Sequence, residues 1–194
     1  MLVALSLTGL MLILIGSALT TSNHTLLISE HYADRLNEMR TAQVYLRRTL
    51  QQTLPVSFTG GIDPSVGMFE GDGNHFCFVA ALPSSLGTGI KIQTVELVDD
   101  GQGMKSLRVR FSQPSASGER PWGDPQILMR RIANVRFSYR GVDDSNVPTD
   151  WLEVWPWSKR LPQLVRVEMD VEGQVKWPGM VVRVRTNMEP EGVH

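Results

Sequence analysis

The chain has 194 residues, which is enough for one ordinary domain and an additional element. Its 19 lysine and arginine residues are nearly balanced by 20 aspartate and glutamate residues, and like charges do not cluster in long runs. The bulk charge therefore gives no attraction to nucleic acid or anionic lipid, and it excludes a basic arm or an acidic tail.

The N-terminal segment is strongly apolar and predicts a helix that spans a membrane or lies in a filament core. No aspartate, glutamate, lysine or arginine precedes Glu30, and apolar residues dominate Met1–Leu19. A bilayer core about 30 Å thick requires about 20 such residues in a helix. A cleaved signal peptide would begin with a basic region, and a buried core helix would be shorter and more polar on one face. The predicted packing residues are Leu2, Leu5, Gly9, Leu12, Gly16 and Leu19.

The apolar segment continues into an amphipathic helical pattern. At about 100° per residue, one narrow face carries Ile28, Tyr32, Leu36, Met39, Leu46, Leu50 and Leu54. The opposite side carries Asp34, Arg40, Arg47, Arg48 and Gln51. Pro55 then ends the helix, because proline lacks the N–H donor and clashes with the preceding turn. We therefore expect one nearly continuous helix over residues 2–54, about 80 Å long at 1.5 Å per residue.

From Val56 onward the pattern changes to turns and short strands. Alternating apolar and polar residues predict strands at Phe76–Leu82, Ile90–Val98, Lys105–Ser112, Val135–Tyr139, Trp151–Trp155, Leu164–Val171 and Met180–Arg185. Pro178 and Gly179 predict a bulge or an edge position before the last strand. The predicted fold is α+β and pilin-like, with a long N-terminal helix packed on an antiparallel sheet. Its parts are residues 1–54, 55–187 and a flexible tail at 188–194.

The sequence offers no arrangement of residues suited to catalysis or to binding a metal or cofactor. His24 and His31 share a helix face near an acidic residue, but a zinc site on a helix requires a spacing of about four and a third ligand. The segments Gly71–His75 and Asp99–Gly101 resemble the start of calcium loops but lack the alternating carboxylates and the final glutamate. Cys77 lies in an apolar strand pattern and is predicted to be buried and inert. We therefore predict no catalytic, metal or cofactor residue, and no enzyme.

The layout resembles that of type IV pilins and of the pseudopilins of type II secretion systems. Leu2–Leu10 is similar to the segment that follows the processing site of these proteins. Their basic leader and the motif Gly-Phe-Thr-Leu-Leu-Glu do not occur in this sequence, and Met1 aligns just after that motif. We expect Met1 to be an internal methionine of a longer reading frame; the alternative is a signal-anchored protein without pilin processing.

Three C-terminal stretches resemble the minor pseudopilin J family of type II secretion systems. They are Val135–Tyr139, Trp151–Trp157 and Leu161–Met169, in that order. The resemblance implies a subunit of the pseudopilus tip complex, which supports export of folded proteins across the outer membrane. It also implies anchoring in the bacterial inner membrane by one helix, with the C-terminal domain in the periplasm. The implied partners are the minor pseudopilins I and K, other pseudopilins of the filament and exported substrates, but no nucleic acid.

Tryptophan side chains are the candidate contact residues, because an indole ring combines a large apolar surface with a polar group. Trp122 and Trp157 lie beside prolines in predicted loops and are the interface candidates. Trp151 and Trp155 share one face of a predicted strand, and that pattern fits core packing as well as an interface. Two alternative functions stay open: a minor pilin of a type IV pilus and a signal-anchored periplasmic enzyme.

Overall fold

The computed structural model of the chain describes residues 32–59, 67–83, 86–99, 101, 103–114, 120–173 and 175–184. The predicted membrane segment with its packing residues from Leu2 to Leu19, the two helical histidines and the predicted tail lie outside these residues. In the part of the chain that the structure describes, no helix has the length and apolar character needed to cross a membrane. The chain divides into two compact units, Met1–Glu38 and Met39–His194.

Eight strands among the described residues form one antiparallel sheet in the second unit. They are β1 (Phe69–Gly71), β2 (His75–Ala81), β3 (Ile90–Asp99), β4 (Lys105–Gln113), β5 (Arg120–Pro121), β6 (Gln126–Arg140), β7 (Leu164–Val171) and β8 (Met180–Arg183). Their order across the sheet is β1-β2-β3-β4-β6-β7-β8, and β5 pairs with β4 outside this path. Most neighbours in the sheet are therefore also neighbours in the sequence, as in a simple meander.

Residues 32–51 form a helix, α1. The part of α1 in the second unit packs on the sheet through Met39, Ala42, Leu46 and Leu50, which are buried in the main hydrophobic core. These residues recur at spacings of three and four, so they share one face of the helix. The predicted polar side is confirmed, since its members from Asp34 to Gln51 are exposed.

Two features of the predicted helix are wrong. The helix ends before Leu54, because Thr53 forms a bridge with Ala80 of β2 and the Leu54 N–H donates to the Val79 carbonyl at 2.8 Å. These two residues therefore bond to the sheet rather than continue the helix. Tyr32 and Leu36, in the first unit, are 48% and 42% exposed rather than buried. Apolar residues at helical spacing identify one side of a helix. They do not show how much of that side is buried by other parts of the protein.

The sheet curls because β6 is long and changes partners along its length. Its first half pairs with β4 and its second half with β7. Register shifts and a positive φ of 50° at Arg131 mark irregular pairing along the strand. In the second half, Phe137 donates to the Gly73 carbonyl at 3.0 Å and Tyr139 pairs with Leu152. The curled sheet encloses packed rings of Phe69, Phe76, Phe78, Phe137 and Tyr139.

Most of the predicted strands are confirmed. β7 has the predicted bounds, and β2, β3 and β4 differ from the prediction by one residue at one end or both. Pro178 and Gly179 precede β8, which lies at the edge of the sheet, so the predicted edge position is confirmed. β6 begins at Gln126 rather than at Val135, and the short strands β1 and β5 were not predicted.

The predicted strand at Trp151–Trp155 is wrong. The segment makes one bridge to β6, between Leu152 and Tyr139. It then turns, so that the Trp155 N–H donates to the carbonyl of Gly71 in β1 at 2.9 Å. Because its backbone bonds to two different strands in succession, the segment has no continuous partner and cannot form a ladder. Its apolar content was mistaken for strand alternation.

Candidate interaction surfaces

The connection between β6 and β7, residues 141–163, contains three tryptophans and is called here the tryptophan loop. Arg160 holds its first part in place. The Nη1 atom of Arg160 donates to the Asp143 carbonyl and to Asn146 Oδ1, both at 3.0 Å. The Nε atom of Arg160 also lies 3.4 Å from the Asp144 carboxylate. The loop is therefore ordered by its own hydrogen bonds, although it contains no strand.

Trp155 anchors the tryptophan loop to the core. Its ring is buried, and its indole Nε1 donates to the Arg160 carbonyl at 2.8 Å. A Cβ atom added at Gly141 would lie 2.7 Å from the ring carbon Cη2, a separation that real Cβ atoms essentially never show. The ring of Trp157 packs nearly perpendicular to that of Trp155, with centroids 4.9 Å apart. Of the two roles left open for Trp155, the structure supports core packing.

The tryptophan loop presents apolar side chains to solvent. Val147 is 56% exposed and Val154 is 59% exposed. Trp157 is partly buried, with one side packed against the core. Single exposed apolar residues are common, but several on a loop held by a rigid scaffold are typical of a binding surface. Neither valine could be predicted from the sequence, because an isolated apolar residue in a loop gives no periodic signal.

Trp122, the other interface candidate, follows β5 and is partly buried against the core. Its ring meets that of Phe111 nearly perpendicularly, with centroids 6.3 Å apart. The Lys91 ammonium lies 5.0 Å from the ring centroid, within the range of a cation–π interaction. A Cβ at Gly87 would lie 3.4 Å from the ring, and Gly87 has a φ of +138°. Trp122 thus closes one end of the core and exposes only part of its ring.

Trp151 packs on the outer face of the sheet, away from the core. The guanidinium carbon of Arg166 lies 3.8 Å from the centroid of the Trp151 ring. Arg166 projects from the outer face, because its neighbours Val165 and Val167 are buried and side chains alternate along a strand. The expectation that Trp151 and Trp155 share one face is therefore wrong, since the segment that carries them turns between them.

A shallow groove of about 310 Å³ lies on α1 within the second unit. Its lining consists of Arg40, Thr41, Val44, Tyr45, Arg48, Thr49 and Pro83. Val44 is 59% exposed, and Arg40 and Arg48 lie four residues before and after it, on the same side of the helix. The Tyr45 hydroxyl donates to Gln93 Oε1 at 2.7 Å, and burial raises the pKa of Tyr45 well above its usual value. The groove is apolar at its centre and positively charged at both ends.

A family model described as type II secretion system, protein J, matches residues 17–182, a range that includes α1 and the strands up to Val182 in β8. The chain belongs to the protein J family of the type II secretion system. A relative from Xanthomonas campestris pv. campestris, named type II secretion system protein J, is 32% identical over 161 residues. That alignment covers 79% of this chain and 74% of the relative.

Membership of the protein J family confirms the predicted minor pseudopilin of type II secretion, rather than a type IV minor pilin. Protein J is a structural component of the secretion machinery and not an enzyme. The roles of Trp122 and Trp157 as interface residues stay predictions. The structure places both side chains partly against the core, at β5 and in the tryptophan loop.

Asp72 and Asp99, the described carboxylates of the two segments that resemble calcium loops, are satisfied by local bonds. Asp72 Oδ1 accepts from the N–H groups of Asn74 and His75 at 2.7 and 2.9 Å, and Asp72 Oδ2 lies 2.8 Å from His75 Nδ1. The carboxylate of Asp99 accepts from the Gly101 N–H at 2.9 Å. At both positions an aspartate side chain replaces a backbone acceptor, as is common in turns. Among the described residues, no three histidine, cysteine or acidic side chains are grouped to hold a metal.

Proposed function

We propose that this chain is the subunit of the pseudopilus tip that binds the minor pseudopilins I and K. The observation that carries the proposal is the protein J match over residues 17–182. Family membership links the chain to the secretion machinery, and the proposal adds the identity of its partners. The helix packed on a curled sheet gives the subunit a rigid domain on which contact loops are held.

The N-terminal segment anchors the subunit in the inner membrane before assembly and packs in the filament core afterwards. The support is the charge-free, apolar composition of Met1–Leu19. Gly9 and Gly16 are small enough to let neighbouring helices approach closely. The domain at 55–187 then lies in the periplasm, where it meets the other minor pseudopilins and the exported proteins.

Two contact surfaces suit protein partners. The tryptophan loop combines the exposed Val147 and Val154 with the partly exposed ring of Trp157. The partly exposed ring of Trp122 lies beside Lys91 at the end of β5. Tryptophan is enriched among the residues that contribute most to binding energy at protein interfaces. We assign Val147, Val154 and Trp157 of the tryptophan loop, together with Trp122, to the contacts with pseudopilins I and K.

The test is a binding measurement between the full chain, held in a nonionic detergent, and purified minor pseudopilins I and K. The variants are Trp157→Ala and Trp122→Ala. Trp151→Ala is the matched control, because it makes the same change on the outer face of the sheet. We expect Trp157→Ala to weaken binding to at least one partner about tenfold or more, as for a central interface tryptophan. The control should bind within about twofold of the unchanged protein.

The outcomes separate the partner assignment from the residue assignment. Failure of the unchanged protein to bind either pseudopilin would sink the tip assignment. Normal binding by both variants would remove Trp122 and Trp157 from the interface and leave the partners in place. Equal weakening by Trp151→Ala would mean that the outer face of the sheet, and not the surface formed by Val147, Val154 and Trp157, makes the contact.

A further inference from the structure

The outer face of β6, β7 and β8 carries a group of arginines with no acidic residue among them. Paired residues of an antiparallel sheet project from the same face. One cross-strand row consists of Arg140, Leu164 and Arg183. The next row consists of Ser138, Arg166 and Val181. The three arginines of these rows are called here the arginine cluster.

The members of the arginine cluster are close together and are not neutralised by the described residues. Arg166 is a diagonal neighbour of both Arg140 and Arg183, and such positions lie about 7–8 Å apart. No described carboxylate lies within the 4.0 Å of an ion pair from any of the three. The next acidic residue along β7 on this face is Glu168, which lies opposite Arg136. The described residues therefore leave all three guanidinium groups without an ion-pair partner.

Two of the arginines are already oriented by their neighbours. The guanidinium of Arg166 stacks on the Trp151 ring at 3.8 Å. The Nε atom of Arg140 donates to the Thr149 carbonyl at 3.2 Å. A stacked or bonded guanidinium loses less conformational freedom when it binds a carboxylate, and its other N–H groups stay available as donors. This arrangement suits recognition of carboxylates rather than a role as solvated surface charge.

The arginine cluster adjoins a sheet edge that is open in the described part of the chain. Of the two terminal strands, β1 is covered by its own chain: Met68 and Phe69 donate to the Ser158 carbonyl, and Trp155 donates to the Gly71 carbonyl. The other terminal strand, β8, pairs with β7 alone among the described residues. Its outward backbone groups can therefore pair with an added strand.

We propose that β8 and the arginine cluster bind an extended acidic segment of another protein by strand addition. Backbone hydrogen bonds to β8 would supply affinity, and alternate acidic side chains would reach Arg183 and Arg166 on the outer face. Val181 lies exposed on the same face beside Arg183, so the methylene groups of an acidic side chain can pack on it. The inference concerns this edge of the sheet alone and does not depend on the proposed contacts with pseudopilins I and K.

The alternative is that the arginines only protect the edge, since charged residues on edge strands also prevent pairing. The probe that separates the two is a fluorescein-labelled ten-residue peptide in which glutamate alternates with valine and threonine. A peptide of the same composition, with its glutamates in one block, has equal charge but divides its carboxylates between both faces of a strand. Fluorescence anisotropy with the full chain in nonionic detergent measures both affinities.

We expect the alternating peptide to bind at least about tenfold more tightly than the block peptide. The double variant Arg166→Gln/Arg183→Gln should lose about tenfold of this affinity. The double variant Arg47→Gln/Arg48→Gln removes the same charge from the exposed side of α1 and should bind within about twofold of the unchanged protein. Thermal melting of each variant, with Arg183→Gln alone as a milder change, shows that the fold is kept.

Three results would overturn the proposal. Absence of binding by the unchanged protein would support edge protection alone. Equal affinity for the alternating and block peptides would indicate general attraction of charge, as would equal losses in the two double variants. Unchanged affinity for an alternating peptide with N-methylated backbone positions would exclude strand addition, because N-methylation removes the donors that pair with β8.

Discussion

Removal of the Tyr139 hydroxyl tests a contact between β6 and the turn that joins β1 to β2. This hydroxyl donates to the Asp72 carbonyl at 2.8 Å and lies 3.3 Å from the His75 carbonyl. Tyr139→Phe keeps the fully buried ring and its packing on Phe69 but leaves the Asp72 carbonyl without this donor. A net hydrogen bond contributes about 0.5–1.5 kcal/mol, and an unsatisfied buried acceptor costs about 1–3 kcal/mol. We expect the variant to be about 1–2 kcal/mol less stable at pH 7.

The same substitution should become almost neutral at alkaline pH. Burial, and secondarily the charge of Asp72, raises the pKa of Tyr139 far above its ordinary value of 10.0. Below pH 10 the Tyr139 phenol is protonated in both the folded and the unfolded protein, so its hydrogen bond contributes its full stabilisation. Above pH 10 only the unfolded state ionises, and each tyrosine of this kind lowers the free energy of unfolding by about 1.4 kcal/mol per pH unit until the folded pKa is reached. At pH 11 the advantage over Tyr139→Phe should therefore fall by about 1.4 kcal/mol.

Urea unfolding followed by tryptophan fluorescence at pH 7 and pH 11 measures both differences. Tyr45 also has a raised pKa, but it is common to both proteins and cancels in the comparison. Tyr32→Phe is the matched control, because the same atom is removed from an exposed ring and this variant should be as stable as the unchanged protein. A stability gap for Tyr139→Phe that is equal at pH 7 and pH 11, or absent at pH 7, would refute the reasoning.

Three further substitutions test the core and the tryptophan loop. Leu50→Ala should lower the free energy of unfolding by about 2–5 kcal/mol, whereas Val44→Ala, at an exposed site, should change it by less than about 0.5 kcal/mol in the same urea titration. Gly141→Ala should lower the melting temperature by about 2–10 °C, and Gly179→Ala, with no atom within 4 Å of the new Cβ, should not. Arg160→Gln should accelerate hydrogen exchange in the turn that it binds, with little change in the melting temperature. Equal losses of stability in Leu50→Ala and Val44→Ala would contradict the core assignment, and equal melting temperatures of Gly141→Ala and Gly179→Ala would contradict the packing against Trp155. Unchanged hydrogen exchange in Arg160→Gln would contradict the role of Arg160 in ordering the turn.

The sequence predicted those elements whose burial is decided locally. β7 alternates strictly between buried and outward residues, so both its bounds and its faces could be read directly. The helix was predicted for the same reason, because Met39, Leu46 and Leu50 repeat at the helical period. Its C-terminal end was not, because pairing of Thr53 with β2 depends on a strand that lies later in the chain.

β6 shows why a long strand was mostly missed. Its first buried residues are Met129, Ile132 and Val135, which recur at every third position rather than every second. Each register shift against β4 or β7 moves the following side chains by one position, so the alternation that identifies a strand is lost. Only the part after the last shift keeps the period of two, and only that part was predicted.

The candidate contact residues were predicted only in part, because the exposure of each side chain depends on its contacts in the folded protein. The sequence indicated tryptophans beside prolines, and Trp122 and Trp157 do sit at the boundary between core and solvent. It gave no sign of Val44 or Val154, because exposure of a single apolar residue depends on which elements cover it. The arginine cluster was missed for a similar reason, since its members come from three strands and meet only through the register of the sheet.

The tryptophan loop is ordered before any partner binds, and this order has a consequence for affinity. Trp155 anchors the backbone that carries Val154 and Trp157. The side chain of Arg160 holds the turn that precedes the exposed Val147. A contact made by a mobile loop would lose about 0.5–1.5 kcal/mol for each side chain immobilised at the interface, and a preformed loop avoids most of that loss. Arg160→Gln should therefore weaken partner binding through loss of order, while Trp157→Ala weakens it through loss of contact area. If Arg160→Gln accelerates exchange in the loop and leaves partner affinity unchanged, the loop is an ordered surface but not the one that binds.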